Sequence, residues 1–368
     1  MSTNNSTILP SNVDNVGFST VFGINTPSIN GSGLNDDGGG DYSFYAFPLP
    51  SAIVLSFILF SLCAVTIFGN LLVILSFITD VNIRKRYDNW FILMLSVADL
   101  IVGAISLPLN SLWVLSDHWP FGKSVCQFFL VADYIACFMS VISMVFISLD
   151  RYWLVTKELK YFKFQSLTRV LIMIISSWTM VITFYLLTVF KWTIWIGENW
   201  VDYTQECELE ALGSVAFNSI LFVIEFVIPF TAIVVFNVII YINIRKRSQG
   251  LVSKNQVAFV SEKSKKSNNT QMLNKHRRAA KNLSILVSAF LICRLPLYII
   301  SITSVTCDDC VSNTVWELVN YVLWCNSTIN PLLYAITKPI FKNNFKKIVC
   351  RCKRFKTDVT NLQISNNS

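Results

Sequence analysis

Seven apolar stretches punctuate the chain, at roughly 52–78, 89–115, 124–150, 169–194, 213–241, 279–303 and 315–337, each bounded by short polar segments. All are long enough for an α-helix to cross a hydrocarbon layer, which takes about 20 residues. The first, AIVLSFILFSLCAVTIFGNLLVILSFI, has no charged residue and no polar face. A surface helix of a water-soluble protein keeps one face polar. The pattern therefore predicts an all-α membrane protein, a bundle of seven transmembrane helices over residues 51–338. The flanks read differently. Residues 1–50 are rich in Asn, Ser, Gly and Asp and predict a disordered leader. They show no basic segment followed by an apolar one, so no cleaved signal peptide is expected, and the first span serves as insertion signal. The Ser/Lys/Asn/Gln-rich stretch 246–275 predicts a flexible basic loop. In 339–350, Ile340, Phe341, Phe345, Ile348 and Val349 form one stripe, which predicts an amphipathic helix lying against lipid. Residues 351–368 form a tail.

Charge fixes an orientation. All but Lys123, Lys191 and Arg294 of the 30 Lys and Arg fall in the segments after the first, third, fifth and seventh spans. Positive residues concentrate on the cytoplasmic side, which puts the N-terminus outside and the C-terminus inside a plasma-membrane protein. Asn4, Asn5 and Asn30, in N-x-S/T sequons, are then candidate glycosylation sites. Cys126 and Cys207 both face the oxidising side, and a bridge between them is expected. Cys307 and Cys310 form C-x-x-C and read as a small disulfide ring, with metal binding as the competing reading. Cys350 and Cys352 follow the amphipathic stripe and are candidate palmitoylation sites.

Catalysis has little support. The two histidines, His118 and His276, offer no triad or His-based metal site, and no phosphate-loop or nucleophile-elbow motif occurs. No lysine lies in the middle of a span to anchor a chromophore. The expectation is a non-enzyme with no cofactor and no nucleic-acid partner. The lack of internal repeats disfavours the competing channel or transporter reading.

What remains is four charged residues away from the span ends: Asp99, Asp133, Glu225 and Arg294. Such residues are costly and usually functional. Asp133 and Asp150 end one greasy run, about 25 Å apart on a helix rising 1.5 Å per residue. Asp133, Cys137 and Ser140 share a helix face. A carboxylate below the outer rim suits a small protonated amine; an internal pair with Arg294 is the alternative.

The residues GNLLVIL around Asn70, LSVADL around Asp99, Asp150-Arg151-Tyr152, Trp178, Pro229, Cys293-x-x-Pro296 and Asn330-Pro331-x-x-Tyr334 occur in order, one set per span. Together they resemble the rhodopsin-like G-protein-coupled receptors. ADYIAC with Glu225 in FVIEFVIPF, then FNVIIYINIRKR, is most similar to the third- and fourth-type histamine receptors. The resemblance implies an amine site of Asp133, Tyr134, Cys137, Glu225, Tyr298 and Trp324, with Asp133 on the amine and Glu225 on the imidazole end. It implies a sodium pocket of Asp99, Ser140, Asn326 and Ser327. It also implies coupling to a heterotrimeric G protein, of the inhibitory class as one option, and to arrestin, with membrane lipid as surroundings. Coupling and activation would fall to Asp150, Arg151, Tyr152, Pro296, Asn330, Pro331 and Tyr334. Asp150 would hold Arg151 in the inactive state. His276 stands where relatives place an acid that tethers Arg151, which implies appreciable basal activity.

Departures from the pattern are specific. Cys293-Arg294-Leu295-Pro296 replaces Cys-Trp-x-Pro, Leu297 replaces a pocket tyrosine, and the fourth span lacks its proline. Arg294 must find a partner at that depth. Asp99 is expected, because pairing there leaves Asp133 free; Asp133 and Glu225 are the alternatives. A drifted pocket for a non-amine ligand, or a silent or constitutively active receptor, is the competing function.

Overall fold

Leu49–Thr79 opens the fold as an unbroken helix, started by Pro48 and Pro50 at its first turn, where a missing N–H costs nothing. The computed structural model describes residues 48–116, 118–157, 160–196, 201–257, 284–285, 287–304, 307 and 310–350. Asn4, Asn5, Asn30, His276, Cys352 and most of 246–275 lie outside the described residues. Helices of the second to seventh spans run Tyr87–Ser116, Gly122–Lys157, Leu167–Ile196, Val215–Val257, Val287–Ser304 and Asn313–Thr337. The architecture is a seven-transmembrane helix bundle.

Six of these helices are long and apolar enough to cross a membrane. The seventh is long enough but more polar, because Asn326, Ser327, Thr328 and Asn330 turn inward. Its outward residues are apolar: Ile336 is 77% exposed. The same inversion marks the other spans, with Phe57 75% exposed while Asn70, Asp99 and Ser140 are buried. Such a surface suits lipid, and water would not tolerate it.

The third span is central and packs on the second, fourth and fifth. Gly69 of the first span lies against Pro331 of the seventh, and a Cβ there would meet the proline ring at 3.0 Å. Two interruptions matter for function. The second span passes through a π turn at Val102–Ser106 and the fifth through another at Val223–Val227, which contains Glu225. One extra residue per turn re-aims the side chains beyond it. The fifth helix also continues past Lys246 to Val257, into a segment read from composition as loop. Extending an existing helix costs far less than starting one. After Lys338 the chain is helical again over 339–350, with Phe341 and Asn344 turned inward.

Candidate functional site

The chain builds a site at each end of the third span. At one end Cys126 and Cys207 are disulfide-bonded, with Cα atoms 5.5 Å apart. The bridge fastens loop 201–214 over the bundle. Leu209 and Ala211 are buried there with Trp119 and Phe129, and the Trp119 backbone N–H donates to the Gln205 carbonyl at 2.7 Å. Gly122 starts the third span with φ +70°, a conformation glycine adopts freely, and its carbonyl accepts from the Trp119 indole at 3.0 Å. Cys307 and Cys310 are bonded to each other at the same end. Glu208, beside the bridge, has its carboxyl pushed up to about 7 by burial and by the charges of Glu206 and Glu317.

Below this loop, Asp133 Oδ1 accepts from the Trp324 indole N–H at 2.9 Å, and the Cys137 thiol lies 3.8 Å away. Trp324 is buried and packs edge-on against Tyr321. Tyr298 packs on Phe226 at 4.4 Å, the residue after Glu225, and on Phe222 at 5.8 Å, three residues before it. Tyr134 turns to the fourth span and packs on Tyr185 at 5.3 Å. Asp133, Cys137 and Trp324 are thus in mutual contact, Tyr298 packs on the residues flanking Glu225, and Tyr134 turns away to the fourth span.

Arg294 does not pair with Asp99. Its Nη2 donates to the Cys137 carbonyl at 2.5 Å. Among the described residues no acid lies within ion-pairing distance of it. From the sixth span the side chain reaches sideways to the third, so the backbone carbonyl one turn below Asp133 meets it before Asp99 can. Asp99 instead accepts from Asn330 at 2.8 Å. Asn326 donates to Ser140 at 3.4 Å, and Asn70 to the Ser327 carbonyl at 3.1 Å, which gathers a polar pocket around Asp99.

The opposite end is basic, and here too an expectation is corrected. Asp150 does not hold Arg151. It is buried and accepts from the Tyr161 hydroxyl at 2.8 Å and from Gln165 at 3.0 Å. Arg151 is ion-paired with Asp88 at the start of the second span. Lys338 reaches the same carboxylate at 3.0 Å and Arg86 at 3.1 Å. Consecutive helical residues point about 100° apart, so Asp150 and Arg151 cannot both face the bundle centre. Tyr152 stacks on Phe236 of the fifth span, and Tyr334 is fully buried over Phe341.

A profile described as seven-transmembrane receptor (rhodopsin family) matches residues 69–334. The chain belongs to the rhodopsin family of seven-transmembrane receptors. As a rhodopsin-family receptor it is a multi-pass membrane protein and not an enzyme. It is similar to the histamine H4 receptor of Homo sapiens, 29% identical over 370 residues, covering 82% of this chain and 93% of that one. It is 26% identical over 391 residues to the probable G-protein coupled receptor No18 of Amphibalanus amphitrite, covering 92% of this chain and 98% of that one. The D(1B) dopamine receptor of Xenopus laevis is 27% identical over 324 residues, covering 80% of this chain and 68% of that one.

Sequence reasoning overlooked Asp88, Lys338, Tyr161 and Gln165. Asp88 carried a signal, as an acid two residues after Arg84-Lys85-Arg86 at the mouth of an apolar run. Tyr161 and Gln165 carried none.

Proposed function

We propose that this receptor binds a small protonated amine at Asp133 and passes the signal to a heterotrimeric G protein at the Arg151 end. One observation carries the reading. Asp133 is an acid inside the bundle, roofed by a disulfide-fastened loop and oriented by the Trp324 indole, with no cationic side chain paired to it among the described residues. A carboxylate removed from water attracts a cation strongly, and an aromatic wall adds to that. The relatives named for histamine and dopamine support the amine. Glu225, held on a π turn, favours a histamine-type ligand that spans from Asp133 to the fifth helix.

The concentration of Lys and Arg at the Arg151 end supports a plasma-membrane orientation with the N-terminus and the Cys126–Cys207 bridge outside. Arrestin and membrane lipid would share the inner face. There Cys350 is exposed at the end of the 339–350 helix and suits palmitoylation, with Cys352 beyond it. Asn4, Asn5 and Asn30 would carry glycans. Asp99, Ser140, Asn326 and Ser327 would hold sodium. A second reading is a receptor that is silent or constitutively active, and the buried Arg294 at the pocket floor favours it.

A screen of biogenic amines for ligand-dependent nucleotide exchange on inhibitory and stimulatory G proteins tests the proposal. Activation by at least one amine, without ion flux, is expected. Ligand-independent exchange that no amine alters would favour the second reading.

A further inference from the structure

Asp88 is offered more donors than one of its oxygens can serve. Its Oδ2 accepts from Arg151 Nη2, from Lys338 Nζ at 3.0 Å and from Arg86 Nη2 at 3.3 Å. Its Oδ1 accepts from Arg86 Nε alone, at 3.1 Å. A carboxylate oxygen has about two lone-pair directions, so the donors on Oδ2 compete, and one can leave without stranding the acid. Three cations around one anion also leave a surplus of positive charge. The Asp88 side chain is 6% exposed, so those cations repel one another where water screens little.

The three cations are not equally free. Lys338 caps the C-terminus of the seventh span, directly before Pro339, and its Nζ also donates to Asn89 Oδ1 at 3.2 Å. Asn89 is fixed in turn, buried and donating to the Ile83 carbonyl at 2.9 Å. Lys338 is thus the resident cation. Arg86 lies on the rim, its side chain 51% exposed. Arg151 comes from the third span and has no hydrogen-bond acceptor besides Asp88 among the described residues. Burial pushes the Lys338 ammonium down to about 8, with Arg151 and Arg86 adding to the shift and Asp88 opposing it, which reflects the same crowding.

Lys338 therefore acts on Arg151 twice, with one sign. While Arg151 is bound, Lys338 repels it and shares its oxygen. Once Arg151 has left, Lys338 still neutralises Asp88, so no buried acid is stranded. We propose that Lys338 is a positioning residue for coupling: by keeping Asp88 paired in both arrangements, it lowers the cost of freeing Arg151 for the G protein. The proposal rests on the reading that Arg151 meets the G protein. Its mark is a reversal of sign. A residue that merely strapped the seventh span to the second would, when removed, loosen the cluster as loss of Asp88 does. Removing the Lys338 charge tightens the grip of Asp88 on Arg151.

The test uses full-length receptor in membranes, at matched surface expression and without ligand. It drives nucleotide exchange on a purified G protein, inhibitory or stimulatory, whichever the wild type engages better. The G protein is titrated, because its half-saturating concentration rises as the fraction of receptor with Arg151 free falls. Lys338→Met keeps the length of the side chain and drops its charge, and it should raise that concentration about three- to tenfold. Lys338→Arg should stay within about twofold of the wild type. Arg86→Gln should shift it in the same direction as Lys338→Met, by about twofold, as suits an exposed cation. In Asp88→Asn, adding Lys338→Met should change it by less than about twofold, because the shared acid is gone. A Lys338→Met receptor whose concentration is unchanged, or lowered as in Asp88→Asn, would overturn the proposal and leave the coupling reading intact. Where Lys338→Met does not reach the surface, Arg86→Gln decides on the same terms. A wild type that drives exchange on neither G protein would overturn both.

Discussion

Arg151 is held by Asp88, a residue of the second span, rather than by its own neighbour Asp150. The Asp88 carboxylate is almost wholly buried and collects Arg86, Arg151 and Lys338, so one acid ties the start of the second span, the end of the third and the turn after the seventh. Removing one member of a buried pair is far costlier than the pair's net worth, because the other charge is left stranded. If release of Arg151 precedes coupling, Asp88 sets how often it happens unprompted. Asp88→Asn should raise ligand-independent nucleotide exchange by about tenfold, as expected for a shift near 1.4 kcal/mol. Asp150→Asn should act less, since Tyr161 and Gln165 can still bond an amide there. Basal exchange measured at matched expression decides it, and equal effects of the two substitutions would contradict the Asp88 assignment.

The pocket around Asp99 is free of Arg294. Its carboxylate faces Asn330, with Asn326, Ser140 and Ser327 nearby, a set of oxygens and amides that suits a small hard cation. Sodium at constant ionic strength should lower agonist affinity in the wild type, and Asp99→Asn should abolish the response. Arg294→Gln should leave it unchanged. Loss of the sodium response together with the Asp99→Asn phenotype in Arg294→Gln would show that the two side chains are coupled after all.

Glu208 gives the loop a pH dependence whose sign is fixed. Its carboxyl is raised from 4.5 to about 7, by burial first and then by Glu206 and Glu317. The folded loop therefore favours the protonated form. The stability this contributes is complete below the ordinary carboxylate range and is lost as pH rises through about 7. The same ionisation puts negative charge at the mouth of the amine site. An aliphatic amine, titrating at about 10, stays charged throughout. Agonist potency should rise between about pH 6 and pH 8, and Glu208→Gln should hold it at the low-pH level. A wild type with a flat profile, or a Gln variant with the same slope, would remove Glu208 from ligand capture.

The bundle was legible because each span repeats one physical requirement, a run of about 20 apolar residues. Asp133, Cys137 and Trp324 were legible as a group because the helix period and the family resemblance both place them inward. Local geometry was harder. Nothing in VIEFV or VGAIS announces a π turn, since these runs are as helical in composition as their neighbours. Arg294 and Arg151 were recognised as needing partners, yet both were matched to the wrong ones. A long side chain can satisfy itself in several directions, and which it takes depends on crossing angles that sequence spacing does not encode. In each case the partner belonged to another span: the Cys137 carbonyl for Arg294 and Asp88 for Arg151.

The account stands or falls on Asp133. Saturation binding of an amine agonist identified by the screen should be compared in wild type and Asp133→Asn, with surface expression matched by antibody and the Cys126–Cys207 loop intact. Asparagine keeps the size of the side chain and an acceptor for the Trp324 indole while removing the charge. Affinity should fall by about 2–5 kcal/mol, the range for truncating one partner of a buried charge pair, which at the upper end is loss of detectable binding. Equal affinity in the two proteins would contradict an amine held at Asp133.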